Sequence, residues 1–88
     1  MTRLPSPEDV VLCVEIAVTR LREARAKAAV YAAGGVPHYW IVDVANRRLD
    51  AYASPSGPGY ASVHSLADTE TLLFPETDAP LNVRDLLP

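Results

Sequence analysis

The sequence contains a single cysteine, Cys13, and no apolar run of the length that a membrane span requires. One cysteine excludes an intramolecular disulfide and any zinc site built from several cysteines. A bilayer span needs about 20 consecutive apolar residues. Near the N-terminus, the charged residues Glu8 and Asp9 exclude the continuous apolar segment that a signal peptide requires. The composition therefore predicts a soluble, cytoplasmic protein with no membrane partner.

The chain also lacks the positive net charge that is usual for nucleic-acid-binding proteins. Its formal charge is −3, whereas such domains are commonly basic. The charges are unevenly spread, because four of the eight lysine and arginine residues fall between positions 20 and 27. A local basic surface and an ordinary solvated helix face are both compatible with this cluster.

A length of 88 residues leaves room for one small domain. Because 49% of the residues are hydrophobic, we expect a folded core and not a disordered chain. Residues 1–8 contain two prolines and are expected to be irregular.

The segment from Asp9 to Ala17 is an almost continuous apolar run with several β-branched residues. Such a run is typical of a strand that is covered on both faces, in the centre of a sheet. Strand alternation places Cys13 and Glu15 on one face and Val14 and Ile16 on the other.

Strong helix formers fill residues 20–33, which predicts a helix. Thr19 is the predicted N-cap, and Gly34 and Gly35 are expected to end the helix. The predicted apolar stripe consists of Leu21, Ala24, Ala28, Val30 and Tyr31. A second stripe at helical spacing consists of Arg20, Glu23, Lys27 and Tyr31.

After the helix, alternating apolar residues predict four strands and a final helical turn. The strands are expected at 38–44, 47–53, 60–64 and 71–74, with a loop at 54–59 and the helical turn at 81–87. A strand–helix–strand unit favours a parallel pair, and the later strands favour an antiparallel meander. The sequence thus predicts an α/β fold in which one main helix lies between the first two strands of a mixed β-sheet.

Glu15 is the residue whose position most requires an explanation. Ionised carboxylates are rarely buried without a cation, a metal or hydrogen bonds to compensate them. Glu15 lies near the C-terminal end of the apolar strand, and ligands of open α/β sheets bind at such strand ends. The alternative is a solvated strand end from which Glu15 simply points into water.

Lys27 lies on the predicted helix that follows this strand. One interpretation is a surface pair between Glu23 and Lys27, four residues apart on the helix. The other is that Lys27 and Glu15 converge on one point. A carboxylate that binds Mg²⁺, next to a lysine that stabilises a developing oxyanion, is a minimal arrangement for phosphodiester hydrolysis.

Three segments together are similar to the Uma-two family of the PD-(D/E)XK, restriction-endonuclease-like superfamily. They are Asp-Val-Val-Leu-Cys-Val-Glu at 9–15, Lys-Ala-Ala-Val-Tyr-Ala at 27–32 and Gly-Val-Pro-His-Tyr-Trp-Ile-Val-Asp at 35–43. The resemblance implies a restriction-endonuclease-like fold, DNA as the partner and Mg²⁺ as the cofactor. It places Glu15 at the metal-binding position and Lys27 at that of the catalytic lysine. Glu23 would be a supporting or substitute acid.

The first acid of the family pattern, on an earlier strand, has no counterpart in the sequence. The resemblance therefore covers the C-terminal half of the family domain, and we expect residues 1–88 to form a partial domain. The first hypothesis is a truncated Mg²⁺-dependent DNA endonuclease, whose activity on its own is open. The second is a non-catalytic module that pairs as a homo-oligomer or with a separate N-terminal half. The third is an unrelated small α/β binding module.

Overall fold

The computed structural model describes residues 11–88. The segment 1–8, expected to be irregular, and positions 9 and 10 of the predicted first strand lie outside the described residues. The elements, in chain order, are β1 (Leu12–Ala17), α1 (Leu21–Ala33), β2 (His38–Asp43), β3 (Arg48–Ser56), β4 (Gly59–Ala67), β5 (Thr71–Leu73), β6 (Pro80–Asn82) and a 3₁₀ helix (Val83–Leu86).

The main sheet has four strands in the order β1-β2-β3-β4. β1 and β2 run parallel, and α1 connects them. β2, β3 and β4 form an antiparallel meander. This mixed sheet, with one helix between its first two strands, confirms the predicted fold class. None of the described helices is long and apolar enough to cross a membrane.

Helix α1 ends at Ala33, immediately before Gly34 and Gly35, which were expected to end it. The Gly35 amide donates to the Ala32 carbonyl at 3.0 Å, and the Val36 amide donates to the Tyr31 carbonyl at 3.0 Å. These two bonds form a Schellman motif, in which Gly35 takes the left-handed position with φ of 77°. The buried side chain of Val36 follows this turn and leads the chain into β2.

The start of α1 and one member of its apolar stripe differ from the prediction. Arg20, not Thr19, is the N-cap residue, and no side chain caps the first turn. Val30 is 68% exposed, whereas Ala32 is buried. The face that packs on the sheet therefore consists of alanines every four residues, and Val30 lies on the opposite side of the helix.

One hydrophobic core lies between α1 and the sheet. Its buried members are Ala17, Ala24, Ala28, Tyr39 and Ile41, and the partly buried Cys13, Leu21, Tyr31, Tyr52 and Tyr60 pack against them. The Tyr39 hydroxyl donates to the Ala24 carbonyl at 2.8 Å. Because burial disfavours the phenolate, the pKa of Tyr39 is raised well above its usual range. Tyr39 therefore stays neutral and holds the helix on the sheet.

A second core lies on the opposite face of the sheet, under β5, β6 and the 3₁₀ helix. Its buried members are Trp40, Val42, Leu49 and Val83. Tyr39 and Trp40 are both buried. Alternation along β2 sends Tyr39 to the first core and Trp40 to the second.

The later strands depart from the prediction in length and in pairing. β3 and β4 extend through most of the expected loop at 54–59 and turn at Gly57, whose φ is 61°. β5 does not continue the meander, because it pairs with β6 in a separate two-stranded sheet. The physical reason is burial: Leu72 and Leu81 of this small sheet cover the second core, which would otherwise face water.

The position of β1 also differs from the prediction. The apolar run indicated a central strand that is covered on both faces, but β1 is an edge of the main sheet as far as residues 11–88 define it. Val14 is 44% exposed and Ile16 is 64% exposed. Leu12 packs against the second core, whereas these two residues are not part of it. Alternation itself is as predicted, because Cys13 lies on the helix side.

Candidate functional site

The structure brings Glu15 and Lys27 into direct contact. The Lys27 ammonium donates a hydrogen bond from Nζ to Glu15 Oε1 at 2.9 Å. The side chain of Glu15 is 31% exposed and that of Lys27 is 48% exposed. The contact therefore lies at the surface, within reach of a large substrate. Of the two interpretations of Lys27, the structure therefore supports the one in which Lys27 contacts Glu15. Lys27 does not pair with Glu23 on the helix.

The elements explain why these two side chains meet. β1 presents Glu15 on the face that α1 covers, two residues before the strand ends. Lys27 lies on α1 three residues after Ala24 and next to Ala28, both of which pack on the sheet. The small alanines bring the helix close to the sheet, so that the lysine side chain reaches the strand.

The contact also sets the charge state of the amine. The hydrogen bond that Lys27 donates to Glu15, together with the negative charge of Glu15, raises the pKa of Lys27 above the usual 10.5. Lys27 is the only lysine in the chain. The site therefore holds a fixed positive charge at neutral pH.

Glu15 and Lys27 line a cleft of about 400 Å³ at the junction of β1 and α1. The other lining residues are Ile16, Ala17, Val18, Thr19, Arg20, Glu23 and Ala24. Glu23 is 63% exposed on its side chain, and the guanidinium of Arg20 lies 3.5 Å from it. The predicted stripe of Arg20, Glu23 and Lys27 thus faces one cleft, with two carboxylates and two cations.

These oxygen donors suit a hard cation that is held only partly by the protein. No group of three or more His, Cys, Asp or Glu side chains that could hold a metal occurs within residues 11–88. Glu15 and Glu23 are the carboxylates of the cleft. Mg²⁺ typically keeps several waters and binds through one or two carboxylates and the phosphates of its substrate. The donor set of the cleft fits that description.

Tyr31, the fourth member of the predicted stripe, lies outside the cleft lining. Its ring packs on Tyr39, with the ring centres 4.9 Å apart. A hydrogen bond with Cys13 is the main cause that raises the pKa of the Tyr31 hydroxyl. Cys13 packs against the first core, as a small hydrophobic residue would. Both residues therefore pack against the first core and not into the cleft.

Two buried acids were not singled out by the sequence, Asp43 and Asp50. Asp43 accepts hydrogen bonds from the backbone amide of Asn46 at 3.3 Å and from its side-chain amide at 2.9 Å. Asp50 lies 3.8 Å from the guanidinium of Arg25. Both carboxylates therefore have structural partners. Asn46 is a turn-favouring residue, and an aspartate three residues before it is the signal that could have identified Asp43.

The rest of the cleft had no sequence signal. Residues 16–19 line it because the chain leaves β1 and bends into α1 at this point. Their side chains are apolar or small, so composition alone does not mark them. Their place depends on the tertiary packing of the helix over the strand.

Comparisons with known proteins give a family for the chain. No curated protein matches the sequence. The model of the Uma2 (Uma-two) family, described as "Putative restriction endonuclease", matches residues 2–82. This match covers 81 of the 88 residues, counted from 2 to 82. It includes β1, α1 and β2, which carry and position the Glu15–Lys27 contact. The chain belongs to the Uma2 family.

Proposed function

We propose that the protein is a Mg²⁺-dependent DNA endonuclease that hydrolyses phosphodiester bonds at the cleft between β1 and α1. The observation that carries this proposal is the 2.9 Å contact between Lys27 and Glu15, in a cleft that also contains Glu23. Membership of the Uma2 family supports the reaction class. We treat residues 1–88 as a single partial domain of the Uma2 type.

Glu15 is the proposed metal ligand, and Glu23 is the proposed supporting acid. Lys27 occupies Oε1 of Glu15, and the second oxygen, Oε2, accepts no hydrogen bond from the residues that the structure describes. That oxygen is therefore placed to bind a cation while Lys27 keeps the carboxylate oriented. When bound, Mg²⁺ supplies Lewis acidity and lowers the pKa of a coordinated water. Glu15 also orients the attacking water by accepting its hydrogen bond.

Lys27 is the proposed stabiliser of the negative charge that develops on the phosphate oxygens. Because its pKa is raised, the ammonium keeps its proton at neutral pH and acts as a charged hydrogen-bond donor. A preformed donor of this kind contributes most in the transition state, where the oxygen charge is greatest.

DNA is the proposed substrate in spite of the net charge of −3. Arg20 and Lys27 place two cations at the cleft itself, where they are paired with Glu23 and Glu15, and arginine and lysine side chains are the groups that contact DNA phosphates. Such contacts weaken as the salt concentration rises. We place the activity in the cytoplasm, because a chain with one cysteine forms no internal disulfide and suits a reducing compartment.

The experiment that tests the proposal is cleavage of supercoiled plasmid with Mg²⁺ or with EDTA, using the wild type, Glu15→Gln and Lys27→Met. We expect cleavage only with Mg²⁺, and a loss of about 100-fold or more in each variant, the size typical of removing one charge-stabilising group. Glu70→Gln is the matched control, because Glu70 is exposed and lies outside the cleft. It should cleave as the wild type does.

A metal-binding measurement tests the proposed role of Glu15 as a metal ligand separately from DNA cleavage. Calorimetric titration with Mg²⁺ should show binding that Glu15→Gln removes and Glu70→Gln retains. If Mg²⁺ binds equally to all three proteins, or if Glu15→Gln cleaves DNA normally, the assignment of Glu15 is wrong.

A second candidate function, without catalysis, is a module that pairs with another chain, either a second copy or a separate half-domain. The exposed apolar residues of β1 favour it. A wild type that forms a stable complex but neither binds Mg²⁺ nor cleaves DNA would support this candidate over the endonuclease.

A further inference from the structure

Helix α1 has an ion pair with the sheet on each of its two sides. On one side, Lys27 bonds to Glu15 of β1. On the other side, the guanidinium of Arg25 lies 3.8 Å from the carboxylate of Asp50 on β3. Arg25 and Lys27 are two residues apart, so they project from the helix in directions that differ by about 160°. The alanines that pack on the sheet lie between these two directions.

The two carboxylates occupy one row of the sheet. Glu15 is aligned with Ile41 of β2, and Ile41 is aligned with Asp50 of β3. Aligned side chains point to the same face, and this row faces α1, because Ile41 belongs to the core beneath the helix. Two strand spacings separate the acids by about 10 Å, which is close to the width of a helix with its side chains. Each side of α1 therefore meets one acid at the same level of the sheet.

Asp50 depends strongly on its pairing with Arg25. Its side chain is 11% exposed, whereas that of Glu15 is 31% exposed. Within residues 11–88, no hydrogen bond reaches the Asp50 carboxylate, and Arg25 is its ion-pair partner. A carboxylate that is largely removed from water requires a compensating charge. Asp50 therefore favours the rotation of α1 at which Arg25 faces β3.

The contacts beneath α1 constrain its rotation only weakly. Alanine side chains extend one carbon from the backbone, so they interlock little with the sheet. The Tyr39 hydroxyl bonds to the Ala24 carbonyl, which is a single contact about which the helix can turn. In the proposed reaction, the Lys27 ammonium also turns to the phosphate oxygens, so its bond to Glu15 is weakened during the reaction itself.

We propose that Arg25 and Asp50 are positioning residues, whose ion pair holds α1 at the rotation that directs the Lys27 ammonium to Glu15 and the cleft. Neither Arg25 nor Asp50 lines the cleft, so they act through Lys27 and not on the substrate. The inference deepens the proposed function and rests on it where DNA cleavage is concerned. The contact between Lys27 and Glu15 can be followed without any activity.

Nitrogen-15 labelling of lysine tests the positioning at neutral pH, because Lys27 gives the only lysine side-chain signal. The wild type gives the position of this signal with the Glu15 contact, and Glu15→Gln gives its position without the contact. Arg25→Met and Asp50→Asn should each move the signal most of the way to that of Glu15→Gln. Asp50→Glu keeps the charge and should leave the signal at the wild-type position. The matched control is Arg22→Met, an exposed arginine of the same helix that lies outside the cleft, and it should not move the signal.

A purely structural role of the pair gives a different result. It would lower the free energy of unfolding in urea but leave the Lys27 signal of the folded variants unchanged, and that outcome would overturn the proposal. The double variant Arg25→Met with Asp50→Asn excludes the effect of an uncompensated charge, because both charges are absent. It should move the signal as the single variants do. Circular dichroism checks that each variant folds.

Plasmid cleavage with Mg²⁺ tests the consequence for the reaction. Arg25→Met and Asp50→Asn should lower kcat by less than Lys27→Met does and leave KM unchanged, because neither residue touches the substrate. If the variants move the Lys27 signal but the wild type does not cleave DNA, the proposed function fails and the positioning stands. If the wild type cleaves DNA and both variants keep its kcat and its Lys27 signal, the positioning fails and the proposed function stands.

Discussion

At the scale of single residues, the hydrogen bond between Lys27 and Glu15 determines how the site responds to pH. Glu15 raises the pKa of Lys27 above 10.5. Pairing therefore stabilises the folded protein fully below the pKa of an unfolded lysine. This contribution disappears as the pH rises through the higher pKa of the folded state.

Because Lys27 is the only lysine, nitrogen-15 labelling of lysine gives one side-chain NMR signal to titrate. We expect its midpoint above the usual value of 10.5 in the wild type, and a lower midpoint in Glu15→Gln. Glu23→Gln should change the midpoint less, because Glu23 is the smallest of the contributing charges. Equal midpoints in the wild type and Glu15→Gln would mean that the contact does not persist in solution.

The convergence of Glu15 and Lys27 was one of two interpretations that the sequence left open, because local periodicity places each side chain on a face of its own element but does not show which faces meet. An alternating strand fixes the face of Glu15, and helical spacing fixes the face of Lys27. Asp50 was not identified, because nothing in the sequence indicates that the guanidinium of Arg25 lies 3.8 Å from it. The N-cap was misassigned for a similar reason: the bend after β1, not the preference of Thr19, sets where α1 begins.

At the scale of elements, the end of α1 requires glycine at position 35 but not at position 34. Gly35 has φ of 77°, whereas Gly34 has φ of −79°, an ordinary helical value. A Cβ at Gly34 would meet the Tyr31 carbonyl oxygen at 3.5 Å, an ordinary contact. Only Gly35 holds a backbone conformation that other residues avoid.

Two alanine substitutions separate these effects. Gly35→Ala should lower the free energy of unfolding by about 1 kcal/mol, because alanine is strained in the left-handed region. Gly34→Ala should leave it unchanged or raise it by up to about 1 kcal/mol, because alanine reduces the freedom of the unfolded chain. Urea unfolding followed by circular dichroism measures both. An equal loss in the two variants would contradict the Schellman geometry.

The strands show where sequence patterns are ambiguous. The apolar run of β1 predicted coverage on both faces, and it does not distinguish a central strand from an edge that another chain covers. The predicted place of β5 in the antiparallel meander was wrong, because the sequence of a three-residue strand does not indicate which strand it pairs with. Its position follows from Leu72, which packs on the second core.

At the scale of the whole molecule, the sheet separates two cores that have different chromophores. The only tryptophan, Trp40, lies in the second core, and all four tyrosines lie in or against the first. Tyr39 and Trp40 are adjacent on β2, so one strand contributes to both cores. We therefore expect the two cores to unfold as one unit.

Tyrosine absorbance and tryptophan fluorescence should give coincident unfolding curves in urea, as two-state behaviour requires. Leu49→Ala should lower the stability reported by both probes by about 2–5 kcal/mol, because Leu49 is fully buried. Leu73→Ala is the control at a residue that is 54% exposed, and its effect should stay within about 0.5 kcal/mol. A tryptophan transition that precedes the tyrosine transition would show that the layer of β5 and β6 unfolds independently.

The alanine face of α1 also acts as a spacer that sets the distance over which the amine must reach. Ala24 and Ala28 lie against the sheet beside Lys27. A bulkier side chain at Ala28 would lift the helix and carry the ammonium away from Glu15. The spacing between helix and sheet thus controls the geometry of the reacting groups, and it can be altered through a side chain that takes no part in the contact.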